Sequence, residues 1–141
     1  GHFDMARMAA WGGREARGSA PGRFDGAPLT LYPAPAADAD DAVLVVLDAG
    51  GQEVARQRTA VSADPVTWAG TDAAGAPLAP GAYAFRLENY TAGALTGTTA
   101  VDAYARIDEV RSGPDGAVLV LEGGAVVAPD QVGALRNPAA G

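Results

Sequence analysis

The chain has 141 residues, of which 48 % are hydrophobic, so it is long enough for one ordinary domain or two very small ones. Its 17 acidic residues outweigh 10 basic ones, and a net charge of −7 disfavours nucleic acid and anionic membrane surfaces as partners. Cysteine and lysine are both absent, which excludes disulfides, thiolate zinc sites, cysteine nucleophiles and Schiff-base lysines.

The apolar runs and the first two residues are also informative. No stretch approaches the roughly 20 apolar residues that a membrane-spanning helix needs. We interpret Gly1 and His2 as a remnant of protein expression, and we expect the chain to be a fragment of a longer protein.

The hydrophobic periodicity predicts many short elements. The first half predicts a helical turn or two, then five strands interrupted by a loop at 33–41: the helical turns lie at 3–11 and the strands at 14–17, 29–32, 42–48, 52–60 and 65–70. The second half predicts a strand, a long or bent strand, a hairpin, a helical turn capped by Asp130 and a last short strand: these lie at 82–90, 98–111, 117–128, 129–132 and near Leu135.

Two patterns support these assignments. The apolar run 42–48 is followed by an Asp-x-Gly-Gly turn and a more polar run at 52–60, which is typical of a hairpin. Residues 82–90 alternate, which predicts one row in a core and one in water: Tyr83, Phe85 and Leu87 inward, and Ala82, Ala84, Arg86 and Glu88 outward. About nine strands at a spacing of about ten residues indicate an antiparallel sandwich or barrel.

The stretch TWAGTDAAGAPLAPGAYAF, residues 67–85, is too polar for a core segment and too patterned for a linker. Asp72 suits the first position of a type I turn, because its carboxylate accepts backbone N–H groups, and Gly75 suits the left-handed position that follows. We expect Trp68 to pack against Tyr83 or Phe85 of the next strand. A ligand-binding role for Asp72 is the weaker interpretation, and a calcium loop is excluded because 65–80 holds a single carboxylate.

These motifs also resemble a known family. VLVVLDAGGQEVARQ (43–57) followed by VTWAGTDAAGAPLAPGAYAFRLE (66–88) resembles the immunoglobulin-like domain of bacterial flagellar hook-capping proteins, also called hook assembly scaffolding proteins. Both flanks are similar to the same family: MAAWGGREAR (8–17) before the sandwich, and VDAYARIDEVR (101–111) with LVLEGGAVVAPDQVGALR (119–136) after it. The resemblance covers nearly the whole chain and corresponds to the C-terminal region of such a protein.

The resemblance implies an all-β fold in which an immunoglobulin-like or fibronectin-III-like sandwich is inserted into a small Tudor-like barrel. The implied domains are a sandwich at 28–96 and a discontinuous barrel at 1–27 and 97–141. It also implies a scaffold that caps the distal end of the growing flagellar hook, outside the cell, after export by the flagellar secretion apparatus. The implied partners are hook protein subunits and, in the full-length protein, further copies of itself.

Residues for catalysis, metal binding or cofactor binding are not apparent. His2 is the single histidine and we interpret it as part of the expression remnant, so a Ser-His-Asp arrangement has no base. Paired acids at Asp40–Asp41 and Asp108–Glu109, with Asp102, are the candidates for acid–base work, but the first pair lies in a loop and the second faces opposite sides of a strand. We therefore predict no enzyme, no cofactor and no metal. Gly50–Gly51 and Gly123–Gly124 are predicted to be turn glycines and not phosphate cradles.

Three tyrosines leave an alternative open. Tyr32, Tyr90 and Tyr104 either cover the rim of a small core or form exposed contacts for a protein or a glycan. The second possibility corresponds to a generic β-sandwich binding module of a secreted or surface protein. That hypothesis predicts one continuous sandwich with an exposed aromatic platform, whereas the hook-capping hypothesis predicts that residues 12–25 pair with 98–136 apart from the sandwich.

Overall fold

The computed structural model describes residues 5–139. The described part begins with helix α1 (Met5–Met8) and a 3-10 turn (Ala9–Trp11), which confirms the predicted helical turn except at residues 3 and 4, which lie outside the description. Eleven strands follow within these residues: β1 (Glu15–Gly18), β2 (Gly22–Phe24), β3 (Leu29–Pro33), β4 (Asp41–Leu47), β5 (Glu53–Thr59), β6 (Val66–Trp68), β7 (Gly81–Thr91), β8 (Ala94–Gly113), β9 (Gly116–Leu121), β10 (Val126–Val127) and β11 (Ala134–Arg136).

All strand pairs among the described residues are antiparallel, and the longest path runs in the order β10-β9-β8-β7-β4-β5. Off this path, β1 lies between β8 and β11, β2 pairs with β7, and β3 lies between β6 and β8. Antiparallel neighbours joined by short turns give an all-β fold. The predicted fold class is therefore confirmed at this level.

The predicted hairpin of β4 and β5 forms around Asp48. Its Oδ1 accepts hydrogen bonds from the N–H groups of Gly50 and Gln52 at 2.9 and 3.0 Å, and Gly51 takes a positive φ of 80°. The turn chemistry is local, and so the sequence alone was enough to place it.

A first core lies beneath the β4–β7 sheet and is closed by the β3–β6 pair. Its buried side chains come from seven strands: Phe24, Leu31, Ala42, Leu44, Val46, Ala55, Trp68, Tyr83, Phe85, Leu87 and Val101. The expected inward row of β7 is confirmed, since all three of its large side chains belong to this core.

The prediction for the outward row of β7 is wrong at one position. Glu88 is only 7 % exposed, although it lies on the face opposite the core. Arg56 on β5 forms an ion pair with its carboxylate at 3.2 Å, and the Tyr90 hydroxyl donates to it at 2.8 Å. The carboxylate is therefore covered by Arg56 from β5, two strands away, and by Tyr90 of its own strand. A period-of-two pattern along one strand does not reveal this cover.

A second core is separate from the first. It contains Ala16, Ile107, Leu119, Leu121 and Val127, with Trp11 and Leu135 packed against it. The strands around it follow the order β11-β1-β8-β9-β10. Strand β8 serves both cores.

Two strand assignments need correction. Strand β2 was not predicted, because three residues with one large apolar side chain, Phe24, give no periodic signal. Strand β8 begins at Ala94 and not at residue 98, since the two-residue turn at Ala92 and Gly93, with φ of 52° and 81°, leads directly into it. The described residues thus contain eleven strands where about nine were expected.

The predicted turn after β10 is a 3-10 helix over Pro129–Gln131, but its cap differs from the prediction. The side-chain oxygen of Gln131 accepts the hydrogen bond of the Ala128 N–H at 2.8 Å, and Asp130 lies inside the turn. A side chain at the end of the turn thus reaches back to its start, as in the second half of a capping box.

Candidate functional site

The aromatic residues of the 67–85 motif meet in the first core. Ring centroids of Trp68 lie 5.6 Å from Tyr83 and 5.1 Å from Phe85, which confirms the expected packing. Phe24 is a third partner, at 5.1 Å from Trp68. Sequence reasoning missed Phe24, because its strand is too short to show a period. The aromatic rings are therefore core residues and not a binding platform.

The Asp72 carboxylate is used within its own loop. Its Oδ1 accepts the N–H groups of Ala74 and Ala76, each at 2.9 Å, while the Gly75 N–H donates to the Asp72 carbonyl at 3.0 Å. Gly75 has a φ of 82°, the left-handed value expected for it. These contacts support the turn role of Asp72 and leave no observation in favour of a ligand.

The other acidic candidates each contact a different group. Asp40 Oδ2 accepts the Ala92 N–H at 2.9 Å, and four carboxylates pair with arginines: Asp41 with Arg58 at 3.0 Å, Asp102 with Arg17 at 3.3 Å, Asp108 with Arg106 at 2.9 Å and Glu109 with Arg111 at 3.1 Å. Asp40 is thus bound to the backbone, and the other four acids lie in separate ion pairs.

Features of a metal site or a membrane span are absent from the described part of the chain. Within residues 5–139, no group of three or more His, Cys, Asp or Glu side chains is arranged to hold a metal ion. His2 lies outside these residues. None of the helices in the same range is both long enough and apolar enough to cross a bilayer. The glycine pairs lie in turns, where Gly51, Gly123 and Gly124 have positive φ values.

A polar and aromatic cluster lies where the two cores meet. We call it the junction cluster, and it consists of Glu15, Arg17, Tyr32, Asp102, Tyr104 and Arg136. Strand register explains its formation, because Arg17 lies opposite Tyr104 and Tyr32 lies opposite Asp102. Directly opposed residues share a face of an antiparallel sheet, so these side chains all lie on the face that points away from the second core.

Aromatic and ionic contacts link the junction cluster. The rings of Tyr32 and Tyr104 meet edge to face at 5.6 Å, and the Arg17 guanidinium lies 4.5 Å from the Tyr32 centroid. The Arg136 guanidinium lies 3.7 Å from the Tyr104 centroid, and its Nε donates to Glu15 at 2.7 Å. This hydrogen bond is the main reason that the pKa of Arg136 is raised, and the Tyr32 hydroxyl adds to the effect.

A second polar cluster lies on the outer face of the first core. Arg56 contacts both Glu53, at 2.9 Å, and Glu88, at 3.2 Å. The hydrogen bond to Arg56 lowers the pKa of Glu53 below its usual value. The pKa of Tyr90 is raised above its ordinary 10.0, chiefly because its hydroxyl donates to the Glu88 carboxylate, and a phenolate there would face a negative charge.

The raised pKa of Tyr90 predicts a weakening of the fold in alkali. A group whose pKa is higher when folded stabilises the fold below its unfolded pKa, and this stabilisation is lost as pH rises through the folded pKa. We therefore expect Tyr90→Phe to show a shallower loss of unfolding free energy above about pH 10 than the wild-type chain. Urea unfolding at a series of pH values measures this. Equal slopes for the two proteins would contradict the assignment.

The three tyrosines singled out in the sequence thus lie in two different clusters. Tyr32 and Tyr104 form one pair in the junction cluster, while Tyr90 belongs to the polar cluster with Glu88. Each is partly exposed and in contact with charged side chains. The three do not form a common platform, and no sequence signal indicated the two arginines that accompany the pair.

The family model of the FlgD Ig-like domain matches residues 10–93, which is more than half of the chain. The chain belongs to this family. The match includes β1 to β7 and therefore the 67–85 motif and most of the first core. The family membership and the immunoglobulin-like part of the predicted fold are thus confirmed.

Two solved FlgD structures are similar to this chain along most of its length. FlgD from Xanthomonas campestris, whose structure was described for its insight into the hook capping essential for flagellar assembly, is 25 % identical with a TM-score of 0.70, over 93 % of this chain and 98 % of that one. FlgD from P. aeruginosa is 22 % identical with the same TM-score, over 86 % and 95 %, and shows the shared fold. No curated protein matches the chain.

Proposed function

We propose that the chain is part of a hook-capping scaffold, which promotes the assembly of hook protein subunits at the tip of the growing flagellar hook. The observation that carries this proposal is the match to the FlgD Ig-like domain together with the likeness to Xanthomonas campestris FlgD along nearly the whole chain. The partners proposed are hook protein subunits and further copies of the full-length protein in a cap. Nucleic acid and membranes are not among them.

The proposed site of action is outside the cell, at the distal end of the hook, after export by the flagellar secretion apparatus. A chain without cysteine acquires no disulfide during such a passage, and its small cores suit refolding after transport as an extended chain. No bond-making chemistry is needed for this role. The candidate acid Asp72 is engaged in a turn, and Asp102, Asp108 and Glu109 are engaged in ion pairs, as is compatible with a structural protein.

We further propose that the two cores correspond to two modules, an immunoglobulin-like sandwich and a discontinuous Tudor-like barrel, as the sequence resemblance implies. The pairing of β1 with β8 and β11 supports this division, because it joins the N-terminal and C-terminal parts of the chain. Phe24 and Val101 pack in the first core. We therefore propose crossings between Gly18 and Gly22 and between Val101 and Ala105, in place of the bounds 27/28 and 96/97 that the resemblance implied.

The alternative of a generic binding module is not favoured. It predicts one continuous sandwich and an exposed aromatic platform. The large rings of the sequence motif are buried in the first core, and the surface tyrosines lie in two different clusters.

The proposed function is tested by removing the gene for the full-length protein from its bacterium. We expect cells without hooks, and unpolymerised hook protein in the medium, because subunits leave the secretion channel with no cap to retain them. A gene that lacks only the codons for this chain should fail to restore hooks, whereas the intact gene should restore them. Normal hooks in the deletion strain would overturn the proposal.

A matched pair of variants connects the test to the structure. Trp68→Ala in the full-length gene should reduce hook formation, since it disrupts the first core. Val61→Ser replaces an exposed apolar side chain in a loop and should leave hooks intact. Equal hook numbers with both variants would indicate that the folded first core is not needed.

A further inference from the structure

Tyr32 is the side chain of the junction cluster that comes from β3, a strand of the first core. It lies on β3, beside the buried Leu31, whereas its aromatic partner Tyr104 lies on the part of β8 that pairs with β1, opposite Arg17. Arg17 on β1 covers its ring, and Arg136 on β11 stacks on the neighbouring ring of Tyr104. A side chain on a first-core strand is therefore contacted by residues of β1 and β8, two strands that surround the second core.

Strand pairing and one turn also join the two cores. Strand β8 runs through both of them, and β3 pairs with it at Tyr32 opposite Asp102 and at Pro33 opposite Val101. Next to this pair, the Ala34 N–H donates to the Ala100 carbonyl at 3.2 Å. On the other side, the β9–β10 turn touches β2, where a Cβ placed on Gly123 would lie 3.3 Å from the Arg23 Cβ. A single continuous strand can twist and bend, so it does not by itself fix the angle between the cores.

The Arg17 side chain connects the ring of Tyr32 with the Asp102 carboxylate on β8. Its Nε contacts Asp102 Oδ2 at 3.3 Å while its guanidinium lies over the Tyr32 ring. Asp102 is the residue directly opposite Tyr32 in the β3–β8 pair. The ion pair thus holds the guanidinium over the ring at the point where the β3–β8 pairing ends.

We propose that Tyr32 is a latch that sets the orientation of the two cores relative to each other. The latch acts through the edge-to-face contact with Tyr104 and the stacking of Arg17, and its loss leaves β8 as a hinge between Val101 and Ala105. This inference goes beyond the proposed function and does not depend on it, since it concerns the geometry of the isolated chain.

Residual dipolar couplings of backbone N–H groups in the 141-residue chain test the latch. In the wild-type chain we expect a single alignment tensor to fit the amides of both cores. In Tyr32→Ala we expect the single-tensor fit to be lost, with each core fitted separately by its own tensor. A wild-type chain that needs two tensors, or a variant that keeps one tensor and the same orientation, would overturn the latch.

Two further variants keep the test decisive. Tyr90→Ala removes a partly exposed tyrosine of the same sandwich at the far end of β7, away from the crossing, and should retain the single tensor. If it loses the single tensor as well, the loosening is not specific to Tyr32 and the proposal fails. If Tyr32→Ala does not fold, Tyr32→Leu replaces it, because leucine keeps apolar bulk but offers neither a ring nor a hydroxyl; retention of one tensor in Tyr32→Leu then overturns the latch.

Discussion

Replacing Trp68 with alanine is expected to lower the free energy of unfolding of the first core by about 3–5 kcal/mol. Trp68 is 1 % exposed and lies within 5.6 Å, between ring centroids, of Phe24, Tyr83 and Phe85. Its removal leaves a cavity among rings that are anchored on different strands and cannot all move inward, so the loss of contacts adds to the lost burial.

The same substitution tests whether the cores are separate modules. Amide hydrogen exchange, read residue by residue, should show lost protection at Leu44 and Val46 of the first core and retained protection at Ile107 and Leu119 of the second. The matched variant is Leu119→Ala, a fully buried residue of the second core, which should cost about 2–5 kcal/mol and give the reverse pattern.

Intrinsic tryptophan fluorescence offers a second measurement of whether the two cores unfold separately. The chain has two tryptophans, and Trp11 packs against the second core while Trp68 lies in the first. In Trp68→Ala the remaining signal therefore reports the second core alone. An equal loss of protection in both cores, with a matching shift of the Trp11 transition in urea, would contradict the two-module proposal and indicate one cooperative unit.

Gly70→Ala is the second substitution with a large expected effect, although it adds a single methyl group. Gly70 has a φ of 79°, and a Cβ there would lie 2.1 Å from Phe24 Cζ and 2.3 Å from Cε1. The backbone strain and the overlap with a buried ring together should cost about 2–5 kcal/mol. Urea unfolding of the variant measures the change.

Gly75→Ala is the matched control, because it separates the backbone strain of a positive φ from the steric overlap with the Phe24 ring. Gly75 has a similar φ of 82°, but nothing lies within 4 Å of the position that a Cβ would take there. We expect it to cost only the strain of a left-handed alanine, about 1–2 kcal/mol. Equal losses at the two glycines would show that Phe24 does not restrict Gly70.

A double-mutant cycle tests whether Phe24 is the residue that makes Gly70→Ala destabilising. Phe24→Ala is destabilising alone, but in the Gly70→Ala background it also removes the ring that the new methyl group would meet. The two costs should therefore add to more than the cost of the double variant. Additive costs would mean that the strain at Gly70 has another source.

The turns and the alternation of side chains along β7 could be predicted from the sequence. Asp48 with Gly51, and Asp72 with Gly75, formed the expected turns because a carboxylate satisfies N–H groups two to four residues away, and glycine accepts a positive φ. The inward row of β7 was predicted for a similar reason, since successive side chains of a strand alternate between faces. The family resemblance rested on these same residues.

Tertiary structure decided the features that depend on pairing between distant strands. Glu88 is covered by Arg56, which lies 32 positions earlier in the chain, and Phe24 meets Trp68 through a strand too short to show a period. The sequence alone thus determined turns, alternation and the all-β class. Strand register determined which charged side chains are covered by others and which tyrosines meet in the junction cluster. Register brings together residues that are far apart in the sequence, and their spacing gives no sign that they will be in contact.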